Sequence, residues 1–111
     1  MNFSLRILPA ADADIDEAAL YIAQDSEEHA MRLYAAVDAT FRLIREHPQR
    51  WPIIELDHPR LRNVRRCTVS GFRNYSAFYT VDADVVFVIR VLHGARDIPS
   101  VLRDDFAGGP E

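Results

Sequence analysis

The chain contains no lysine: all thirteen of its basic residues are arginine. Any proton transfer it performs must therefore do without a lysine amine. A single cysteine, Cys67, offers no disulfide framework. That fits a reducing cytoplasm and a small apolar filler in a strand better than a reactive thiol. No apolar run approaches the roughly 20 residues of a membrane span. Residues 1–14 (MNFSLRILPAADAD) have too short an apolar run, and acid too soon after it, for a secretory leader. The four histidines, His29, His47, His58 and His93, are scattered, with no i, i+4 pair. No metal site is expected from that spacing. No glycine-rich phosphate loop precedes a helix, so nucleotide hydrolysis is not expected, and neither is any cofactor.

What is present is the composition of an ordinary soluble globular protein, 49% apolar and 27% charged over 111 residues. One domain is expected over residues 1–106, with a loose tail at 107–111. The charge is unevenly placed. Residues 1–58 hold five arginines against eleven acids, whereas residues 59–111 hold eight against six. Between Arg60 and Val81 there are five arginines and no acid. An acidic half and a locally basic half point to two faces with different clients.

The pattern along the chain predicts strand, helix, helix, three strands and a short helix. "FSLRIL" (3–8) reads as a strand with Phe3, Leu5 and Ile7 on one side. Pro9 opens a helix with Asp12, Asp14, Asp16 and Glu17 in its early turns and Ile15, Ala19 and Ile22 facing the core. Asp25 or Ser26 is placed to cap a second helix over about residues 27–46. There Ala30, Leu33, Val37, Phe41 and Ile44 form a single apolar stripe. Met31, Tyr34 and Ala35 lie off that stripe, either as scattered surface residues or as a partner site on the helical hairpin. A proline-punctuated connection (48–61) follows, with Trp51 expected at the core edge. Three strands come next, within residues 63–69, 74–81 and 85–93, joined by "SGFR" and by a tight reversal at "DAD" (82–84). The last strand, "VVFVIRVLH", is nearly all apolar and should be covered on both faces. The fold class is α+β, a two-helix hairpin packed on a small antiparallel sheet.

The segment "RVLHGARDIP" (90–99) at the end of that strand concentrates the chemistry. Metal-free RNA cleavage needs a base, an acid and cations for the phosphate. Arg65, Arg66, Arg73, Arg90 and Arg96 could hold a phosphate. His93 is the one well-placed acid or base, with Glu55, Asp57 and the tyrosines behind it. Each also has a purely structural reading. His93 can be a strand-end imidazole bonded to backbone, and Arg65, Arg66 and Arg73 solvated strand arginines. Arg90 can pair with a carboxylate or reach the sheet's open face. Gly94 would allow positive φ at the exit, Asp97 would cap a short helix at Ile98-Pro99-Ser100, and Arg96 could pair with an acid such as Asp97.

Residues 14–48 (DIDEAALYIAQDSEEHAMRLYAAVDATFRLIREHP), "RNVRR" (62–66), the Y-x-A-F-Y-x-V strand (75–81) and "VFVIRVLHGARD" (86–97) together resemble the ParE branch of the RelE/ParE toxins, often labelled plasmid stabilisation proteins. The resemblance spans roughly residues 5–103 and departs from relatives at "HPQRWPI", which lacks their glycine. It implies a cytoplasmic toxin, with no membrane partner, neutralised by an antitoxin whose partly disordered segment wraps it. ParE-type members inhibit DNA gyrase; RelE-type members cut mRNA in the ribosomal A site. The expectation here is a gyrase inhibitor. Arg65, Arg66, Arg73, Arg90 and Arg96 would meet the target, and Met31, Tyr34 and Ala35 the antitoxin. The alternative is a ribosome-dependent mRNA endoribonuclease with His93 catalytic.

Overall fold

A computed structural model describes residues 2–107 of the chain. Its elements are β1 (Ser4–Ile7), α1 (Pro9–Ala23), α2 (Glu27–Glu46), β2 (Arg65–Val69), β3 (Phe72–Asp82), β4 (Val85–His93) and α3 (Ile98–Ala107), with a 3-10 turn at Pro59–Leu61. This is the expected α+β order. Of the expected tail, Ala107 closes α3, and residues 108–111 lie outside the described residues.

The strands lie in the order β1-β4-β3-β2. β2, β3 and β4 form an antiparallel meander, but β1 runs parallel to β4, with Ser4 opposite Val85 and Ile7 opposite Val88. The expectation of an antiparallel sheet is thus corrected at its first strand. The α1–α2 hairpin carries the chain from β1 to the far edge, so β1 and β4 meet without a direct connection. No short turn then dictates their relative direction.

Local chemistry accounts for the helix ends. Pro9 stands in the first turn of α1, and Ser26 Oγ caps α2 by accepting from His29 N–H at 3.1 Å. Glu27 and Glu28 stand in the first turn of α2 and Arg45 in its last turn, each sign suiting that end of the helix dipole. The stripe Ala30, Leu33, Val37, Phe41 and Ile44 is buried as expected. Thr40 joins it; its hydroxyl donates to Ala36 C=O at 2.8 Å and accepts from Ser70 N–H at 3.0 Å, tying α2 to the β2–β3 turn. On α1 the buried residues are Ala11, Ile15, Ala18 and Ala19.

Two cores cover the sheet. Beneath the hairpin lie Val86, Val88, Val91, Ala77, Tyr79, Cys67 and Val69. On the other face Phe78, Ile89 and Leu92 pack with Leu56, Leu61 and Val64 from the connection and β2 approach, and with Ile98 and Leu102 of α3. β4 is therefore buried on both faces, as its near-continuous apolar sequence requires. A bulge helps: Phe78 pairs with Arg90 and Tyr79 with Val88, so Ile89 opposes no residue and turns into the second core. Tyr79 donates its hydroxyl to Pro48 C=O at 2.6 Å, pinning the connection, and burial pushes its phenol up to about 12. The same cause lifts the Cys67 thiol to about 11, which keeps it protonated and inert. The two-residue β3–β4 turn holds Ala83 at φ 54°, a left-handed conformation unusual for alanine.

Candidate functional site

The exit from β4 is a closed turn. His93 Nδ1 accepts from Ala95 N–H at 2.9 Å, and His93 C=O accepts from Arg96 N–H at 3.0 Å. The neutral ring therefore keeps its proton on Nε2, its one remaining donor. Tyr75 meets the ring edge-on at 5.0 Å. Gly94 N–H donates to Asn74 C=O at 2.6 Å, but Gly94 does not adopt positive φ. The expectation that glycine is needed there for a left-handed bend is corrected: the backbone reverses through the His93–Arg96 hydrogen bond instead. Asp97 caps α3 as expected, its Oδ2 accepting from the Ser100 hydroxyl at 2.8 Å and Oδ1 from Ser100 N–H at 3.4 Å. With its carboxylate so engaged, Asp97 does not pair with Arg96, which has no ion-pair partner among the described residues.

The five candidate arginines separate into two groups. Arg90 Nε and Nη2 each donate to Asp14 at 2.7 Å, and Asp14 Oδ2 also accepts from Val91 N–H at 3.0 Å. β1 ends at Ile7, so α1 supplies through Asp14 the acceptor that a longer β1 would have given to β4. The Arg90 side chain is 13% exposed, and this structural engagement removes it from the presented surface. Arg65 Nη1 donates to Trp51 C=O at 2.6 Å and Gln49 C=O at 3.2 Å, holding the connection in place. Both side chains are half-buried and carry hydrogen bonds within the fold. Arg66, Arg73 and Arg96 are exposed. Arg66 donates to Ser76 Oγ at 3.1 Å and lies over the Phe78 ring, with Nη2 4.0 Å from where a Cβ on Gly94 would stand. Arg73 precedes Asn74, the residue bonded to Gly94. These three therefore gather with His93 at one end of the sheet.

Between that end and α1 lies an open cleft of about 370 Å³, lined among others by Asp14, Glu17, Tyr21, Tyr75, His93 and Arg96. Among the described residues Arg96 is the one arginine lining this cleft, and Glu17 stands in the same cleft. Burial, followed by the neighbouring Tyr21, raises the Tyr75 phenol, so Tyr75 is no base at neutral pH. Glu17 was not a candidate from sequence, and Tyr21 only as one of four tyrosines, because nothing local ties α1 to a strand end some 75 residues later. The secondary candidates Glu55 and Asp57 line a separate depression on the connection, apart from His93. No three His, Cys, Asp or Glu side chains converge as metal ligands among the described residues.

The hairpin's outer surface carries a second candidate site. Met31 is 66% exposed, and Ala35 is also exposed. The Tyr34 hydroxyl donates to Asp16 at 2.7 Å, and that bond raises its pKa. Leu20 and Tyr21 of α1, 72% and 67% exposed, extend the apolar surface beyond the residues recognised from sequence. Leu20 lies one turn after Asp16 and Met31 one turn before Tyr34, so the Tyr34–Asp16 bond brings them to the same seam.

Residues 5–98 match the family described as the ParE toxin of type II toxin–antitoxin systems, parDE. The chain belongs to this family. The ParE assignment agrees with the solved structures it resembles. One is a chromosomal ParDE toxin–antitoxin system from P. aeruginosa, with TM-score 0.66 and 18% identity, covering 82% of this chain and 95% of that one. Another is the toxin–antitoxin complex RelBE2 from Mycobacterium tuberculosis, with TM-score 0.58 and 19% identity, covering 84% and 99%. No curated protein matches the chain significantly. At these identities the likeness to solved structures carries the ParE-type fold but not the roles of individual side chains.

Proposed function

We propose that the chain is a toxin that inhibits DNA gyrase in the cytoplasm, and that a cognate antitoxin neutralises it by covering the helical hairpin and reaching onto the sheet. Its family membership supports the toxin role, and the charge around His93 supports the inhibitor mechanism. Cleavage of a phosphodiester needs cations where phosphate charge develops. Among the described residues Arg96 is the one arginine lining the His93 cleft, and a phosphate entering there would meet the Glu17 carboxylate. Arg90, the other arginine nearby, is already bound to Asp14. Arg66, Arg73 and Arg96 instead form a dispersed basic rim suited to an acidic protein surface.

A second reading rests on one observation: Glu17, Tyr21 and Tyr75 gather about His93, so acid–base groups are present for mRNA cleavage on the ribosome. Purified protein added in parallel to a gyrase supercoiling assay and to a translation reaction with mapped mRNA ends separates the two. Inhibition of supercoiling with intact mRNA supports the proposal. Codon-specific cuts with unaffected gyrase overturn it.

A further inference from the structure

The sheet holds its arginines in two ways. Arg65 and Arg90 are fixed by oxygens that draw on their charge: Arg65 by the Trp51 and Gln49 carbonyls, Arg90 by the Asp14 carboxylate. Arg66 is fixed differently. Its Nε donates to the Ser76 hydroxyl at 3.1 Å, and its guanidinium carbon lies 5.7 Å from the centre of the Phe78 ring. Both supports are uncharged, and Arg66 has no ion-pair partner among the described residues. Strand register explains the contacts. Arg66 of β2 lies opposite Phe78 of β3, and Ser76 is two residues along on the same face. Ser76 is itself 1% exposed, so its hydroxyl needs a partner within the fold, and Arg66 supplies one.

The result is a guanidinium that is immobilised but not neutralised. Nε is engaged with Ser76, which leaves the N–H groups of Nη1 and Nη2 for an outside acceptor. The residue is exposed, and Nη2 reaches the turn after β4, 4.0 Å from where a Cβ on Gly94 would stand. Gly94 does not need to be glycine for its φ, so a methyl group would fit there, whereas a longer side chain would crowd Nη2. A fork held in this way has lost much of its rotamer freedom before a ligand arrives, and its geometry matches the two oxygens of one oxyanion. The Phe78 ring beneath it is fully buried, hence closed to the base stacking by which single-stranded RNA is held. The site therefore favours a carboxylate on a protein over a phosphodiester.

We infer that Arg66 is a preorganised receptor for one carboxylate of an acidic protein segment, that Ser76 is its positioning residue, and that Gly94 keeps the approach to Nη2 open. The inference rests on the function proposed above for the identity of the partner, the acidic surface of the inhibited target, and names one contact which that surface makes. The receptor itself is defined by how Arg66 is held.

The probe is a hexaglutamate peptide titrated into the ¹⁵N-labelled full chain and followed at the Arg66 Nε–H and the backbone amides, with hexauridylate RNA as the competing ligand class. The inference expects saturable shifts centred on Arg66, Asn74 and Gly94, and weaker binding of the RNA there. Arg66→Lys keeps the charge and loses the fork, so it should bind the peptide about tenfold more weakly. Ser76→Ala should weaken binding about threefold, and Ser76→Thr, which keeps the hydroxyl, should restore it. Gly94→Leu leaves Arg66 and Ser76 in place and should also weaken binding. A Ser76 that only supports the fold would lower the denaturation midpoint of Ser76→Ala and leave its peptide affinity unchanged, which overturns the positioning role. Wild-type affinity in Arg66→Lys or Gly94→Leu, tighter binding of the RNA at Arg66, or shifts confined to other surfaces would each overturn the receptor. None of these outcomes tests gyrase inhibition. A chain that captures the peptide through Arg66 but leaves supercoiling untouched would instead overturn the functional proposal.

Discussion

Asp14 is the residue whose loss should do the most damage for its size. Its carboxylate, 9% exposed, accepts three hydrogen bonds, from Arg90 Nε and Nη2 and from Val91 N–H. Asp14→Ala strips the bidentate partner from a largely buried guanidinium and the acceptor from a strand amide. Breaking a buried pair from one side typically costs about 3–5 kcal/mol, because the remaining charge stays desolvated. Whole-domain stability is only about 5–15 kcal/mol, so Asp14→Ala should bring the chain near the limit of folding at 37 °C. Asp14→Asn keeps an acceptor for Val91 and loses the charge, so its penalty should be smaller. Asp14→Leu with Arg90→Met should recover most of the loss, since apolar replacement of both partners of a buried pair is often neutral. Urea denaturation followed by circular dichroism measures all three. If Asp14→Ala lies within about 0.5 kcal/mol of wild type, the size of a neutral surface change, then the pair does not clamp α1 to β4.

Three further outcomes are expected. Phe41→Ala removes a ring that is 7% exposed in the core beneath the hairpin and should destabilise by about 3–5 kcal/mol, read from the denaturation midpoint. Ala83→Gly relieves a left-handed alanine at φ 54° and should stabilise by about 1 kcal/mol; an unchanged or lower midpoint would mean that the turn carries no strain. Folding also raises Cys67 from 9.0 to about 11 and Tyr79 from 10.0 to about 12. The folded state therefore holds these protons longer than the unfolded one, so their stabilisation is complete below about pH 9 and is lost as pH rises toward 12. The denaturation midpoint should fall across that range and fall less in Cys67→Ala/Tyr79→Phe; equal slopes would refute the assignment.

Regular periodicity made the fold legible. The 3-4-4-3 spacing on α2, the apolar run of β4 and the capping residues Ser26 and Asp97 all act within a few residues of themselves, and each does what local chemistry implies. The parallel placement of β1 was not legible, because it depends on where the hairpin delivers the chain. The candidate site was legible in residue type but not in allocation. That Arg90 would seek a carboxylate followed from its apolar surroundings; that the carboxylate is Asp14, 76 positions away, did not. Arg65 and Arg66 are neighbours in sequence and opposite in role. Strand alternation points one at the connection's carbonyls and the other across Ser76 and Phe78. Glycine at position 94 suggested a left-handed bend that the turn does not use.

The central claim is that toxicity depends on binding at the strand exit and not on proton transfer by His93. It is tested most directly by the concentration of purified His93→Gln that half-inhibits gyrase supercoiling, set beside wild type and beside Arg66→Ala and Arg96→Ala. The account predicts inhibition by His93→Gln within about tenfold of wild type, a contact-sized loss, and comparable or larger losses for the arginine variants. Wild-type protein that leaves supercoiling untouched would contradict the account. So would cell killing with codon-specific mRNA cuts that vanish in His93→Gln, since loss of a general acid or base typically lowers a rate by about 10²–10⁴-fold.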